Sequence, residues 1–148
     1  MRSKGRLEYV GEHYLKFAET DDYFIKVGPD SPSNLLAYSE FDDTPNNGRY
    51  RKNYRNHQND YVVGQPTWSK GRGRGLIGAI NYLASKGMNV MTVSLISDDK
   101  YVFPFASERK LDYDVSKLAQ WEVVFEYAEQ TGIVLHMKLM ETDDDEIF

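Results

Sequence analysis

The sequence contains no cysteine. Disulfides and thiolate metal sites are thereby excluded, and the redox compartment is left open. No apolar run reaches the ~18 residues that a membrane-spanning helix needs. Met1–Arg6 is basic but is followed by no apolar h-region, so no signal peptide is evident. The three histidines show no H-x-x-x-H or comparable ligand spacing, which argues against a structural zinc. G-x-S-x-G and the P-loop are both missing. There is no internal repeat.

What is present is an ordinary globular composition. The chain has 148 residues, 41% hydrophobic and 28% charged, enough for one domain with a core of its own. A net charge of -5 argues against binding nucleic acid by bulk electrostatics. Aromatic residues are abundant, with 11 Tyr, 7 Phe and 2 Trp, and serve either as core or as stacking surfaces for sugars and bases.

The clearest local signals lie in the last third. Asp114 is a good N-cap, and Val115, Leu118, Trp121, Phe125 and Ala128 recur at helical spacing, which predicts a helix with that face inward. Gly132 stands where a helix takes a left-handed residue. Ile133–Met140 is mostly apolar on both faces and predicts a strand covered on both sides. Glu141, Asp143, Asp144, Asp145 and Glu146 follow, at the strand end where sites gather in sheets of this kind. Upstream, Leu76, Ile77, Ala79, Ile80, Leu83 and Ala84 predict an amphipathic helix stopped near Gly87, and Met88–Ile96 predicts a strand.

Nearer the amino terminus, Leu7–Val10 is a short strand candidate, and Tyr14–Phe17 and Tyr23–Val27 read as a hairpin. Residues 28–72 form a long polar segment with interleaved aromatics, a length that suggests a functional loop. The order from Tyr23 is then β-α-β-α-β, with crossovers long enough for parallel pairing.

Three constellations carry chemistry. Gly73, Gly75 and Gly78 spell G-x-G-x-x-G before a helix, and Asp98 closes the next strand where a ribose-binding acid would lie. Pro66 and Lys70 do not suit the central strand that a dinucleotide-binding protein would place there. The alternative is a basic start to a helix whose glycines allow close packing against a strand. Second, Asp98 and Asp99 end one strand, and Glu141 and Asp143 the next. Neighbouring parallel strands lie ~4.8 Å apart, so these carboxylates would share a cleft, as acid and base or around a hard cation, unless they are ordinary loop acids. Third, His136 sits mid-strand among apolar residues, as a barrel-lining or core histidine or as a ligand. Tyr38, Trp68, Tyr101 and Phe103 are loop aromatics that stack on sugars or close the core.

Several segments together resemble a known group. FIKVGPDSPSNLLAY (residues 24–38), GAINYLASKGMN (78–89) and DVSKLAQW (114–121) are similar to the opening of the (β/α)8-barrel catalytic domain of glycoside hydrolases, of the kind that follows an immunoglobulin-like domain. The likeness spans about Gly5 to Glu141. The chain departs from the family pattern at Ser33 and Asp43.

The resemblance implies an α/β fold, with an amino-terminal β-hairpin followed by βαβαβ units of an incomplete (β/α)8 (TIM-like) barrel. It implies one partial domain: 1–27 as hairpin lead-in and first barrel strand, 28–72 as loop, 73–148 as α-β-α-β units ending at the third strand. In this group the acid/base follows the fourth strand and the nucleophile the seventh, so the chain is expected to contribute substrate-side residues of a larger, exported hydrolase. Asn34, Asp42, Trp68, Asp98 and Glu141 are the candidates for that lining, with Glu141 also a candidate catalytic acid. The ligand implied is a polysaccharide or glycoside, with no cofactor, metal, nucleic acid or membrane. The rival readings are a non-catalytic carbohydrate-binding fragment and a dinucleotide-binding open sheet.

A third strand at the edge of such a sheet leaves apolar backbone unpaired, and edges of this kind invite association. Self-association or poorly cooperative unfolding of the purified chain is therefore expected. A monomeric mass by light scattering together with a sharp thermal transition would contradict that expectation.

Overall fold

The computed structural model describes residues 4–29, 35–45, 51–97 and 101–139. The chain is a mixed α/β protein. Strands β1 (Leu7–Tyr9), β2 (Leu15–Phe17) and β3 (Tyr23–Phe24) form an antiparallel sheet in that order. Helix α1 (Arg74–Ser85), strand β4 (Val90–Ser94), helix α2 (Val115–Thr131) and strand β5 (Val134–Lys138) follow. β4 and β5 pair in parallel, with Val90 opposite Val134 and Thr92 opposite His136.

Local chemistry explains the helix boundaries. The Asp114 carboxylate accepts from the Lys117 N–H at 3.0 Å, satisfying one of the donors that the start of α2 leaves open. Both helices end in the same way. Gly87 (φ 73°) donates to the Ala84 carbonyl and Met88 to that of Leu83. Gly132 (φ 85°) donates to Glu129 and Ile133 to Ala128. Each pair of bonds is a Schellman closure, which needs a left-handed residue that glycine supplies without a Cβ penalty. Each closure also turns the chain straight into a strand.

The two faces of β4 do different work. Met91 and Val93 are fully buried against the helices, in a core with Leu36, Tyr38, Phe41, Ile77, Ile80, Trp121 and Val124. Val90 points the other way and packs with Phe17 and Phe24 of the antiparallel sheet. That sheet therefore lies over the amino-terminal ends of β4 and β5.

The long segment before α1 is ordered by close packing. A 3-10 turn at Arg55–Asp60 lies on α1. A Cβ at Gly78 would sit 1.9 Å from the His57 carbonyl oxygen, and one at Gly75 would sit 2.9 Å from that of Asn53. Both glycines face protein backbone, so the G-x-G-x-x-G letters describe a packing notch. The partner is this 3-10 segment, not the strand expected for such a notch. Asn81 completes the join: its Nδ2 donates to the Asp60 carbonyl and to Gln65 Oε1 (2.7 Å each), and its Oδ1 accepts from the Tyr127 hydroxyl at 2.6 Å.

Three expectations need correction. Tyr23–Val27 is not the first strand of the parallel sheet. β3 stops at Phe24 and pairs antiparallel with β2. Residues 25–29 do run beside β4, held by two backbone bonds, one of them from Thr92 N to the Pro29 carbonyl at 3.3 Å, and by two bonds from one side chain. Asn89 Oδ1 accepts from Val27 N, Asn89 Nδ2 donates to the Ile25 carbonyl, and Asn89 N donates to the Val27 carbonyl, each at 2.8 Å. Pro29 has no N–H to extend a ladder. The inward stripe of α2 is also rotated from the expected one. Val115 is 76% exposed, whereas Lys117 and Gln120 are buried beside Trp121 and Val124. Partners distant in sequence draw these two inward: Lys117 Nζ donates to the Phe103 carbonyl at 3.2 Å, and Gln120 bonds Asp42. Finally, β5 is not covered on both sides; Met137 is 44% and Leu139 76% exposed.

Gly78→Ala forces a methyl into the His57 carbonyl and should cost roughly 1–3 kcal/mol, the usual range for overpacking. Urea unfolding measures it. A stability equal to that of the unsubstituted chain would show that the 3-10 segment does not sit on α1.

Candidate functional site

α1 runs into β4 through a short turn, and α2 returns the chain from the end of β4 to the start of β5. Both helices therefore begin at the carboxyl end of the strands, where α/β proteins gather their sites. Asp42 stands at those helix starts. Its Oδ1 accepts from Arg72 Nη2 at 2.7 Å, and its Oδ2 accepts from Ser116 Oγ at 2.7 Å and Gln120 Nε2 at 2.6 Å. The Asp42 N–H in turn donates to Gln120 Oε1 at 3.0 Å. The Ser116 hydroxyl, then the Arg72 guanidinium, hold its carboxyl below the ordinary carboxylate range. The carboxylate carries its charge at neutral pH and ties the turn before α1 to the first turns of α2.

Glu40 performs the companion task at α1. Its Oε2 accepts from the Gly73 N–H at 2.6 Å, and its carbonyl accepts from the Trp68 indole at 2.9 Å. Glu40 thus caps a helix whose N-cap residue, Gly73, has no side chain to do so. Burial, with the Glu40 carboxylate nearby, pushes the Tyr38 hydroxyl far above the ordinary tyrosine range.

A second group lies on the face of β4 and β5 opposite the helices. Thr92 and His136 are directly across from each other, with Oγ1 and Nδ1 3.2 Å apart. Lys26, on the segment held by Asn89, places its Nζ 3.3 Å from His136 Nδ1 and 3.5 Å from Thr92 Oγ1. An ammonium can only donate, so Nδ1 is the acceptor and the ring proton is assigned to Nε2. A cavity of about 510 Å³ lies between this face and the antiparallel sheet. Leu7, Leu15, Phe24 and Val134 give it apolar walls, and His13, Tyr14, Lys26 and His136 give it polar ones. A concave, mostly apolar space with a few convergent polar groups is the usual form of a small-ligand site. Among the described residues, no carboxylate lines it.

The five candidate residues have different fates. Asn34, Asp98 and Glu141 lie outside the described residues. Asp42 is where a site residue would stand, and both its carboxylate oxygens accept from Arg72, Ser116 and Gln120. Trp68, expected as a loop aromatic on the cleft, is buried at 8% exposure and stacks on Phe41 with ring centroids 5.0 Å apart and planes at 15°. Its indole N–H is used by Glu40, so it offers neither a face nor a donor to a sugar. Tyr38, Tyr101 and Phe103 are buried as well. His136 has the lining position that its place in the strand suggested. Lys26, Thr92, Arg72, Ser116 and Gln120 went unremarked in the sequence. Lys26 alone carried a signal, as the cation inside an otherwise apolar FIKV.

Among the described residues there is no cluster of three or more His, Asp or Glu able to hold a metal ion, and no helix long and apolar enough to cross a membrane. Compared with family models, curated proteins and solved structures, the chain matches none.

Because the Asp42 carboxyl is held below its unfolded value of ~3.9, its contribution to stability is present above that pH and is lost as pH falls through the folded value. Asp42→Asn should therefore flatten the acid limb of the stability–pH curve below about pH 4. Urea midpoints across that range test it, and parallel curves for the two proteins would contradict it.

Proposed function

We propose that the chain forms the opening strand–helix units of a (β/α)8 glycoside hydrolase and contributes substrate-side residues to its cleft. The observation that carries this reading is the asymmetry of the parallel sheet. One face takes both helices and the apolar core, while the other carries Lys26, Thr92 and His136 beside a cavity. A doubly wound dinucleotide-binding sheet needs helices on both faces. A barrel wall has helices outside and side-chain layers inside. The antiparallel sheet across the amino-terminal strand ends also suits a barrel, and Lys26 and His136 line the cavity between it and the parallel strands.

On this reading Asp42 is a positioning residue that fixes both helix starts, and Lys26 and His136 donate to sugar hydroxyls. The reaction is hydrolysis of a glycosidic bond between two carboxyl groups, of which the described residues supply neither. The rival within the same ligand class is a carbohydrate-binding unit without turnover.

Electrophoresis of the full chain through gels containing xylan, mannan, a soluble cellulose derivative or pectin tests the assignment, because Trp68 and Trp121 are too buried to report by fluorescence. Retardation by at least one polysaccharide is expected. His136→Ala and Lys26→Ala should each weaken it about tenfold, the loss of one or two polar contacts. Migration unaffected by every polysaccharide would overturn the reading, and release of dye from a chromogenic glycoside would separate the hydrolase from its rival.

A further inference from the structure

The chain is acidic overall, yet one stretch concentrates positive charge. Arg51, Lys52 and Arg55 fall within five residues and line a cavity of about 370 Å³ together with Asn53, Tyr54, Asn56 and His57. Among the described residues, no carboxylate is in that lining. Of the nearby acids, Glu40 accepts from the Gly73 N–H and Asp42 pairs with Arg72, while Asp60 is taken up by the lining residue His57 at 3.0 Å. Among the described residues, Lys52 and Arg55 enter no ion pair.

The cavity is built on a fixed backbone. Lys52 exchanges hydrogen bonds with its neighbours, donating to the Ala37 carbonyl at 2.9 Å and accepting from Ser39 N at 2.7 Å. Arg51 Nη2 donates to the Ser39 carbonyl at 2.8 Å, which anchors that guanidinium. Tyr54 holds a positive φ of 48°, uncommon for a bulky residue, and its ring packs beside Tyr38 at 5.6 Å. The Asn53, Tyr54 and His57 carbonyls lie against Gly75 and Gly78 of α1. With these acceptors turned to the helix, the lining is dominated by donors. Asn53 shows it in detail: its Oδ1 accepts from Arg55 N at 3.1 Å, leaving its NH2 to donate outward.

We propose that this pocket binds the anionic group of an acidic glycan, a uronate carboxylate or a sulfate ester on a sugar. Guanidinium groups pair with such planar or tetrahedral oxyanions through two donors, and asparagine amides add neutral donors suited to sugar hydroxyls. The site abuts the start of α1, where the Asn53 and Tyr54 carbonyls lie against Gly75 in the first turn of that helix. It thus names the substrate class for the hydrolase reading, and it rests on that reading. A polynucleotide would also seek such cations, but a net charge of -5 repels it over the rest of the surface.

Isothermal titration of the full chain tests the assignment. The probes are an oligogalacturonate, a sulfated oligosaccharide, a neutral galacto-oligosaccharide of equal length, inorganic phosphate and an oligouridylate. Lys52→Gln and Arg55→Gln are compared with Lys86→Gln, a cation outside the pocket. The expected result is binding of an anionic oligosaccharide that weakens with added salt. Each pocket substitution should weaken it about tenfold, as for loss of a charged hydrogen bond, while Lys86→Gln has no effect. The two anionic sugars distinguish carboxylate from sulfate. Equal binding of neutral and acidic sugars, indifferent to Lys52 and Arg55, would overturn the pocket and leave the sugar reading standing. Binding of phosphate or oligouridylate without any sugar, or of no probe at all, would overturn the pocket, while the sugar reading falls only if every polysaccharide also leaves migration in the gels unchanged. Matching circular dichroism spectra of the variants ensure that a lost fold is not mistaken for a lost site.

Discussion

Much of the structure depends on the absence of two methyl groups. Gly75 and Gly78 leave a notch in α1 into which the carbonyls of residues 53–57 settle. That contact converts a polar, irregular stretch into a wall of the core. Tyr54 and Tyr61 then reach the buried cluster from one side, while Tyr38, Phe41 and Trp68 pack edge-to-face or stacked beneath them. Aromatic pairs of this kind contribute about 0.5–1.5 kcal/mol each beyond their burial. Two glycines lower the intrinsic stability of α1 by roughly 1 kcal/mol apiece relative to alanine. The helix is therefore secured by the segment lying on it rather than by its own propensity.

Charge is handled at the starts of the two helices. Glu40 and Asp42, two residues apart, each serve a different helix start: one satisfies the Gly73 N–H of α1, the other collects Ser116 and Gln120 of α2. Negative charge beside helix amino termini is favourable because unsatisfied N–H groups concentrate there. Arg72 compensates Asp42 from the turn between Trp68 and α1. The rim at the carboxyl end of the strands is thus electrostatically closed around Asp42, while Arg55, on the segment that lies on α1, is exposed.

How much of this is visible in the sequence depends on the distance over which each interaction acts. Asp114, Gly87 and Gly132 mark the helix ends because capping is settled within five residues. The strands at Val90 and Val134 are visible as apolar runs. The α2 face was misplaced because Gln120 finds its partner 78 positions away, and periodicity carries no trace of that. Lys26 and His136 are 110 residues apart, so only the fold reveals their pairing, although His136 is conspicuous in the sequence as a polar residue within an apolar strand. Gly73, Gly75 and Gly78 are conspicuous as letters, but what they accommodate is decided by a segment some twenty residues upstream. Trp68 is the plainest case: an aromatic in a polar loop suggests a surface platform, and Glu40 and Phe41 turn it inward.

Asn89 has one more consequence. A regular ladder would align residues 25–27 with β4 through repeated backbone bonds, and slipping by one residue would turn Lys26 to the other face. Here a single amide side chain supplies two of the four bonds that set the alignment, one donated and one accepted, and the backbone N–H groups of Asn89 and Thr92 supply the others. Half of what holds Lys26 beside the Thr92–His136 pair is therefore the reach of one side chain.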